Sequence, residues 1–396
     1  MDRYKKITLK PKKEESLKRF HPWIFSGALA SLDKGIEEGE IVNVYTSDKK
    51  FIAVGHYQIG SIAVRVLSFS EENIDNEFWE KRLSDAFELR RSIGLVSSEN
   101  NTYRLVHGEG DNLPGLIIDI YADTAVIQSH SVGMHLCRMD ICQALQAIMP
   151  AAIENIFYKS DSTLPFKAEL GAENEYLLGG ENITPVALEN GLKFKADWIK
   201  GQKTGFFIDQ RDNRSLLEKY SAGRKVLNMF CYTGGFSFYA LRGGAQLVHS
   251  VDSSAKAIKL TEENVSLNFP DDVRHEAFAQ DAFKFLGASE NGKYDLIILD
   301  PPAFAKHRAA IKNALQGYKR LNALALEKIA PKSILFTFSC SQVITKDAFR
   351  LAVFSAAAQG GRNVRILHQL TQPADHPINI YHPEGEYLKG LVLYVE

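Results

Sequence analysis

The sequence predicts an α/β protein with a Rossmann-like, seven-stranded and mainly parallel sheet in its C-terminal half, preceded by a small all-β module and an intermediate α+β segment. The first observation is an alternation of apolar strand-like runs with helix-like runs from residue 225 onward, which is typical of a doubly wound sheet. The second is a glycine turn, Gly234-Gly235, directly after the first of these strands. The third is a series of short β-like runs, separated by glycines, within residues 1–70.

Length and composition narrow the class of protein. The 396 residues suffice for two or three domains, and 45% hydrophobic residues, 24% charged residues and a net charge of −1 are ordinary for a globular chain. No apolar run approaches the roughly 20 residues of a membrane span, and no signal peptide is visible. The four cysteines are scattered, and no histidine pair completes a zinc spacing. We therefore expect a cytoplasmic protein with reduced thiols, no metal and no membrane partner.

Residues 1–70 are predicted to form the first domain, an all-β module with a basic leader. Lysines and arginines dominate positions 3–19, and His21-Pro-Trp-Ile-Phe-Ser-Gly follows them. Further strand-like runs lie at 41–45, 51–57 and 63–67. The leader fits a solvated tail as well as a phosphate-binding surface, and the aromatic residues beside it favour a barrel that contacts RNA.

Residues 71–185 are predicted to be an intermediate α+β domain. The pattern predicts a helix over 71–94, strands at 116–121 and 124–128, and a second helix over 135–148. Cys137 and Cys142 lie on that second helix, where we expect core thiols rather than metal ligands.

Residues 186–396 form the predicted third domain, which carries the Rossmann-like sheet. Its strands are expected at 226–229, 247–251, 273–279, 294–299, 334–338, 364–370 and 388–395. The loop between the last two strands contains no convincing helix. Because a parallel crossover usually needs a helix, we expect these two strands to form an antiparallel pair.

Several side chains follow these strands at their carboxyl ends, where ligands bind in such sheets. Asp252, Asp281 and Asp300 each follow a strand, and Cys340 follows the fifth strand. The turn lacks the G-x-G-x-x-G fingerprint, so a pyrophosphate has no obvious cradle. A ligand with a ribose but no phosphate fits better, and S-adenosylmethionine is the common one.

A second dense polar segment precedes the sheet. Gln210, Arg211 and Arg214 cluster near the start of a helix predicted over 209–219. A surface helix would tolerate these residues without any function, but the adjoining Phe206-Phe207 also suits the lid of a nucleotide pocket.

Taken together, these motifs resemble those of the class I S-adenosylmethionine-dependent methyltransferases, and more narrowly the RlmI-like family that makes 5-methylcytosine in 23S ribosomal RNA. The resemblance covers nearly the whole chain, and in that family the N-terminal module is an RNA-binding PUA barrel. It rests on His21-Pro-Trp-Ile-Phe-Ser-Gly, Thr204-Gly-Phe-Phe-Ile-Asp-Gln-Arg, Asn228-Met-Phe-Cys-Tyr-Thr-Gly-Gly-Phe-Ser, Asp300-Pro-Pro-Ala-Phe-Ala-Lys, Ser339-Cys-Ser and Tyr387-Leu-Lys-Gly-Leu.

The resemblance implies roles at matching positions. The methionine and ribose part of the cofactor would be lined by Asn228, Phe230, Tyr232 and Gly234. Asp252 would hold the ribose hydroxyls, Asp281 would face the adenine, and Gln210 and Arg211 would close the pocket. Cys340 would be the nucleophile, since carbon 5 of cytosine needs a thiolate at carbon 6 before it can accept a methyl group. Asp300 could hydrogen-bond the N3 and N4 edge of the base.

Some questions stay open at this point. Ala303 follows Asp300-Pro-Pro where many RNA cytosine-5 methyltransferases have a second cysteine, so the group that assists product release is not identified. One alternative is an enzyme that methylates the exocyclic amine of adenine (N6) or guanine (N2), and another is an RNA-binding protein with a vestigial methyltransferase domain. Neither the target nucleotide, nor a free or partly assembled RNA substrate, nor a homodimer follows from the sequence.

Overall fold

The computed structural model describes residues 3–150, 152–165, 170–171, 173–181 and 186–396. The chain divides into two compact units. The first unit consists of residues 1–191, 196–206 and 374–385, and the second of residues 192–195, 207–373 and 386–396. The three predicted domains, 1–70, 71–185 and 186–396, therefore stay a prediction, and the boundary at Pro185 lies outside the described residues.

The first unit begins with a six-stranded sheet in the order β2-β6-β5-β4-β1-β3. Its strands are β1 (Lys5–Leu9), β2 (Trp23–Phe25), β3 (Leu29–Leu32), β4 (Ile41–Tyr45), β5 (Phe51–Tyr57) and β6 (Ile62–Ser68). The three strands predicted in this region are confirmed as β4, β5 and β6. Their buried apolar side chains, such as Val44 and Val64, form one core with residues of β1 and β2.

The basic leader is part of this sheet, so the interpretation of a solvated tail is wrong. β1 pairs parallel with β4 and antiparallel with β3. Ile7 and Leu9 are fully buried, whereas Lys5 and Lys6 stay partly exposed. The lysines obscure the strand pattern in the sequence, because they occupy the positions next to the buried residues of this short strand.

The rest of the first unit consists of a second sheet and the helices that pack against it. Its five strands, in the order β11-β10-β9-β8-β7, are β7 (Thr102–His107), β8 (Leu116–Tyr121), β9 (Thr124–Ser129), β10 (Asn155–Tyr158) and β11 (Glu175–Leu178). The helices are α1 (Asn76–Ser92), α2 (Val132–Leu136) and α3 (Arg138–Ile148), and β12 (Val186–Glu189) follows later in the chain. The helix predicted over 135–148 is thus two helices that meet at Cys137, and Cys142 is buried in the core as expected.

The second unit contains the seven-stranded sheet and its helices. In chain order its elements are β13 (Leu192–Lys195), α4 (Arg211–Tyr220), β14 (Lys225–Met229), α5 (Gly235–Arg242), β15 (Leu247–Asp252), α6 (Ala255–Asn268), β16 (His275–Ala279), α7 (Ala282–Ala288), β17 (Leu296–Leu299), α8 (Ile311–Lys328), β18 (Ser333–Ser339), α9 (Lys346–Gln359), β19 (Val364–Leu370) and β20 (Lys389–Val395).

The order of this sheet is β16-β15-β14-β17-β18-β20-β19. The first five strands are parallel, and β20 runs antiparallel between β18 and β19. This confirms the Rossmann-like, seven-stranded sheet and the antiparallel pair at its end. The direction of winding reverses between β14 and β17, and ligands bind at the carboxyl ends of the strands around such a switch point.

Local sequence explains most of these elements. β17 and β18 are buried along their whole length, as expected for central strands covered on both faces. Ser254 caps α6 by accepting a hydrogen bond from the amide of Ala257, and Asp281 caps α7, a helix that the sequence did not predict. In the described ranges, no helix is both long and apolar enough to cross a membrane, and no disulfide joins the four cysteines.

Truncating a buried side chain of β1 tests whether the leader supports the first unit. Ile7→Ala should lower the free energy of unfolding by about 2 to 5 kcal/mol, since it leaves a cavity in the core. All three tryptophans, Trp23, Trp79 and Trp198, belong to the first unit, so urea denaturation followed by tryptophan fluorescence reports on it. The exposed Lys13→Ala is the control and should change stability by no more than about 0.5 kcal/mol. Equal, small effects of both substitutions would contradict a structural role for β1.

Candidate active site

The turn after β14 holds its backbone in the left-handed region at three positions. The φ angles are +59° at Phe230, +48° at Tyr232 and +85° at Gly234. Such angles are rare for aromatic residues, and they persist only where surrounding contacts fix them. The hydroxyl of Thr261 on α6 donates to the carbonyl of Tyr232 at 2.9 Å. A Cβ atom at Gly234 would lie 2.6 Å from Cγ2 of Thr261, so this position requires glycine.

Asp252, the last residue of β15, ties this turn to the next one. Its Oδ2 accepts from the amide of Tyr232 at 3.1 Å, and its Oδ1 accepts from the amide of Ser254 at 2.9 Å. Each carboxylate oxygen can accept more than one hydrogen bond. The side chain is half-buried, so it is fixed by the protein and can still accept from hydroxyl groups of a ligand.

Asn228 on β14 is buried below the turn and is 1% exposed. Its Nδ2 donates to the hydroxyl of Ser237 at 2.8 Å, and that hydroxyl lies 2.6 Å from Oγ of Ser250. Its Oδ1 has no hydrogen-bond partner among the described residues. A buried acceptor without a partner is uncommon, and here it supplies a position for a donor group of a ligand.

The segment before α4 is buried, so the alternative of a plain surface helix is wrong. Gln210, Arg211 and Arg214 are only 2–3% exposed. Nδ2 of Asn213 donates to Oε1 of Gln210 at 2.6 Å. Buried charged and amide groups of this kind are found where they hold one another or a ligand in place.

Phe207 connects this segment to the glycine turn. The guanidinium of Arg214 donates to the carbonyl of Phe207 at 2.8 Å, and the ring of Phe207 meets that of Tyr232 edge to face at 5.0 Å. The hydroxyl of Tyr387 donates to Oδ2 of Asp209 at 2.7 Å. The predicted polar cluster is therefore brought to the turn through Phe207, and Tyr387, two residues before β20, holds the same segment through Asp209.

Asp281 lies at the same edge of the sheet. The amide of Gln280 donates to the carbonyl of Asp252 at 2.9 Å, which places the two strand ends side by side. The exposed side chain of Asp281 accepts from the amide of Lys284 at 2.9 Å. It thus has a structural task as the cap of α7, which the sequence did not indicate.

Asp300 and Cys340 come together because β17 and β18 are adjacent parallel strands. Both residues are half-buried. Sγ of Cys340 lies 4.0 Å from the carbonyl oxygen of Pro301. The thiol is therefore next to the Asp300-Pro-Pro turn and within reach of solvent.

Tyr318 on α8 holds the two loops beside Cys340. Its buried hydroxyl accepts from Oγ of Ser339 at 2.9 Å and lies 3.2 Å from Oγ of Ser341. Oγ of Ser341 accepts in turn from the amide of Ala305 at 3.3 Å. Burial raises the pKa of Tyr318 above its usual value, so the phenol stays protonated and serves as a fixed bridge.

Lys389 is a functional candidate to which the sequence analysis assigned no role. It is 5% exposed and lies opposite Ser339 in the pairing of β18 with β20. Its Nζ donates to the carbonyls of Ser341 at 2.6 Å and Ile344 at 2.7 Å, and it interacts electrostatically with Cys340. Burial lowers the pKa of Lys389 to about 8. A lysine within the apolar run of the last strand is the signal that could have revealed it.

Cys231 lies in the turn itself but differs from Cys340. Its side chain is 7% exposed, and burial raises the pKa of its thiol well above the usual value. A buried, protonated thiol is inert, in keeping with the packing role expected for it. Among the residues that the structure describes, no group of three or more His, Cys, Asp or Glu side chains could hold a metal ion.

Comparison with known proteins gives the family. Residues 163–382 match the family model described as S-adenosylmethionine-dependent methyltransferase, and residues 7–69 match that of a PUA-like domain. The structure of SMU.776, described as a methyltransferase complexed with SAH, aligns with a TM-score of 0.83 at 22% identity and covers 98% of this chain and 99% of that chain. At this identity the likeness shows the fold.

Curated relatives extend over almost the whole chain. A protein of Aeromonas hydrophila named ribosomal RNA large subunit methyltransferase I is 42% identical over 388 residues, which are 96% of this chain and 97% of the relative. A protein of the same name from Tolumonas auensis is 42% identical over 393 residues and covers 98% of both chains. The chain therefore belongs to the ribosomal RNA large subunit methyltransferase I family of S-adenosylmethionine-dependent methyltransferases with a PUA-like N-terminal domain.

Proposed function

We propose that this protein transfers the methyl group of S-adenosylmethionine to carbon 5 of a cytosine in large-subunit ribosomal RNA through a covalent adduct of Cys340. The name of the curated relatives supports the RNA substrate. The observation that carries the chemistry is the partly exposed thiol of Cys340 beside Pro301, at the carboxyl ends of adjacent strands.

The residues around the glycine turn fit the cofactor. Half-buried Asp252 suits the ribose hydroxyls, and the unpartnered Oδ1 of Asn228 suits an ammonium or amide donor. The other proposed binding residues are Gln210, Arg211, Phe230, Tyr232, Gly234 and Asp281. When bound, S-adenosylmethionine supplies an electrophilic methyl group on a sulfonium.

In the proposed reaction, the Cys340 thiolate forms a bond to carbon 6 of the cytosine, and the electron pair of the 5,6 double bond moves to carbon 5. Carbon 5 then uses this electron pair to bond the methyl group, whose bond to the sulfonium breaks, so that S-adenosylhomocysteine would be the leaving group. A base removes the proton from carbon 5, the double bond forms again, and the bond from sulfur to carbon 6 breaks to return the thiolate. In this proposal, Asp300 hydrogen-bonds the N3 and N4 edge of the base. Ala303 leaves the motif without a second cysteine, so the base that removes the proton is a different group.

Lys389 supports the thiolate in this proposal. Its ammonium group is buried and interacts electrostatically with Cys340. A nearby positive charge in a poorly solvated place favours the charged form of a thiol. Its two hydrogen bonds to the carbonyls of Ser341 and Ile344 also fix the loop that follows the thiol.

Mass spectrometry of digested ribosomal RNA tests the reaction. RNA from a strain that lacks this protein is incubated with the purified enzyme and labelled S-adenosylmethionine. We expect label in 5-methylcytosine, and no label when Cys340→Ala replaces the wild type, because no adduct can form. The matched control is Cys137→Ala, which removes another partly buried thiol and should retain full activity.

Other outcomes of that experiment would contradict the proposal. Label in a methylated exocyclic amine of adenine or guanine that survives Cys340→Ala would make Cys340 a structural residue. No label, together with no binding of S-adenosylmethionine in calorimetry, would indicate a vestigial methyltransferase domain.

Binding of S-adenosylhomocysteine tests the role of Asp252. Asp252→Ala should weaken binding by about 10- to 100-fold, since hydrogen bonds to a charged acceptor contribute roughly 1.5–3 kcal/mol. Calorimetry with an analogue that lacks the ribose hydroxyls distinguishes a lost contact with these hydroxyls from an effect of the substitution on the fold. The analogue should bind more weakly than the parent to the wild type, and about equally with the parent to the variant. If removal of the hydroxyls weakened binding to the variant as much as to the wild type, residues other than Asp252 would contact the hydroxyls. The exposed Glu262→Ala is the control.

Alkylation of Cys340 by iodoacetamide tests the effect of Lys389. Lys389→Met should slow alkylation below about pH 8, where the wild-type lysine carries its charge, and the difference should shrink above that pH as Lys389 loses its proton. Peptide mass spectrometry assigns the alkylated cysteine. The exposed Lys259→Met serves as the control. Equal rates for wild type and Lys389→Met over the whole pH range would show that the charge does not act on the thiol.

A further inference from the structure

Six aromatic side chains on the first unit form two groups of ring contacts that are adjacent in sequence, and we name them together the aromatic platform: Phe20 with Tyr381, and His21 with Trp23, Phe25 and His382. The rings of Phe20 and Tyr381 lie 5.3 Å apart, those of Trp23 and His382 4.2 Å apart, and those of His21 and Phe25 6.1 Å apart. Each group thus joins residues before or within β2 to a residue between β19 and β20. We propose that this platform binds unpaired bases of the RNA substrate by stacking.

Exposure is the first observation that supports this proposal. Phe20, Phe25 and Tyr381 are 48%, 50% and 48% exposed. Phe20 also has a φ angle of +60°, which a bulky residue rarely adopts. This angle ends the short helix Leu17–Arg19, where the amide of Phe20 donates to the carbonyl of Leu17 at 2.8 Å. The backbone that carries this exposed ring is therefore fixed.

The platform is also rigid. The indole of Trp23 donates to Oε1 of Glu109 at 2.8 Å. Arg90 donates to the carbonyl of Asp375 at 2.8 Å, and Oδ2 of Asp375 accepts from the amide of Arg104 at 3.0 Å. The segment that carries Tyr381 and His382 is therefore anchored by buried charged groups. Rings that are ordered before binding lose less entropy when a base stacks on them.

Charge next to the platform fits a polyanion. Lys10, Lys12 and Lys13 form an exposed turn after β1, and Nζ of Lys10 donates to the carbonyl of Gly27 at 3.0 Å, close to Phe25. Proteins bind single-stranded nucleic acid with cations that contact the phosphates and with aromatic rings on which the bases stack. A fully paired duplex hides its base faces, so the platform fits unpaired nucleotides.

This inference rests on the proposed RNA substrate but not on the atom that is methylated. It assigns the first unit a contact with nucleotides other than the reacting cytosine. Because stacking needs no methyl transfer, the RNA affinity of the platform variants is measured without S-adenosylmethionine. Measurements of RNA affinity can therefore contradict the platform while the proposed reaction holds. The methylation experiment can likewise contradict the reaction while the platform holds.

Fluorescence anisotropy of the full-length protein with a labelled single-stranded RNA of about ten nucleotides of mixed sequence tests the platform. Phe20→Ala, Phe25→Ala and Tyr381→Ala should each weaken binding by about fivefold or more, since a stacked base contributes roughly 1–3 kcal/mol. Tyr381→Phe keeps the ring and should retain the wild-type affinity. The matched control is Phe354→Ala, which removes a 64% exposed ring on α9.

Three results would overturn the proposal. The first is unchanged affinity in all three alanine variants that retain wild-type circular dichroism. The second is equal competition by a fully paired duplex of the same sequence. The third is a dimer in sedimentation equilibrium that the alanine variants dissociate while the RNA affinity stays constant, which would make the platform an interface between two copies of this chain.

Discussion

The antiparallel register between β18 and β20 determines what surrounds Cys340. Seven residue pairs align the two strands, from Ser333 with Val395 to Ser339 with Lys389. A slip by one residue would turn every side chain of β20 to the opposite face. Gly390 pins the register, since a Cβ atom there would lie 2.5 Å from the ring of Phe338. The buried ammonium, the loop after β18 and the thiol therefore depend on how the last strand pairs.

The turn after β14 likewise depends on contacts with other elements of the fold. Two aromatic residues with positive φ angles cost about 1–3 kcal/mol each, and the strand below them, buried from Val226 to Met229, offsets that cost. Asp252 and Thr261 hold the turn from two other elements. The backbone of this turn is thus fixed by contacts from two other elements, and the stability comes from the apolar core of the sheet.

The sequence predicts well those features of the fold that depend on residues close together in the chain. The alternation of strands and helices and the burial of Cys142 depend on residues a few positions apart. β1 was missed because lysines interrupt its buried positions, and α7 because its seven residues are too few to show a period. The environment of Lys389 and the contact of Trp23 with His382 could not be predicted, since the partners lie far apart in sequence and only the folded chain brings them together.

The first unit is built from three separate segments of the chain, and the last of them is residues 374–385. During synthesis the ribosome releases this segment only after nearly all of the second unit. The six-stranded N-terminal sheet can therefore form early, whereas its neighbour His382 follows only after residues 207–373 of the second unit. A nascent chain that has not yet reached residue 374 would carry a folded N-terminal sheet with an incomplete set of platform rings.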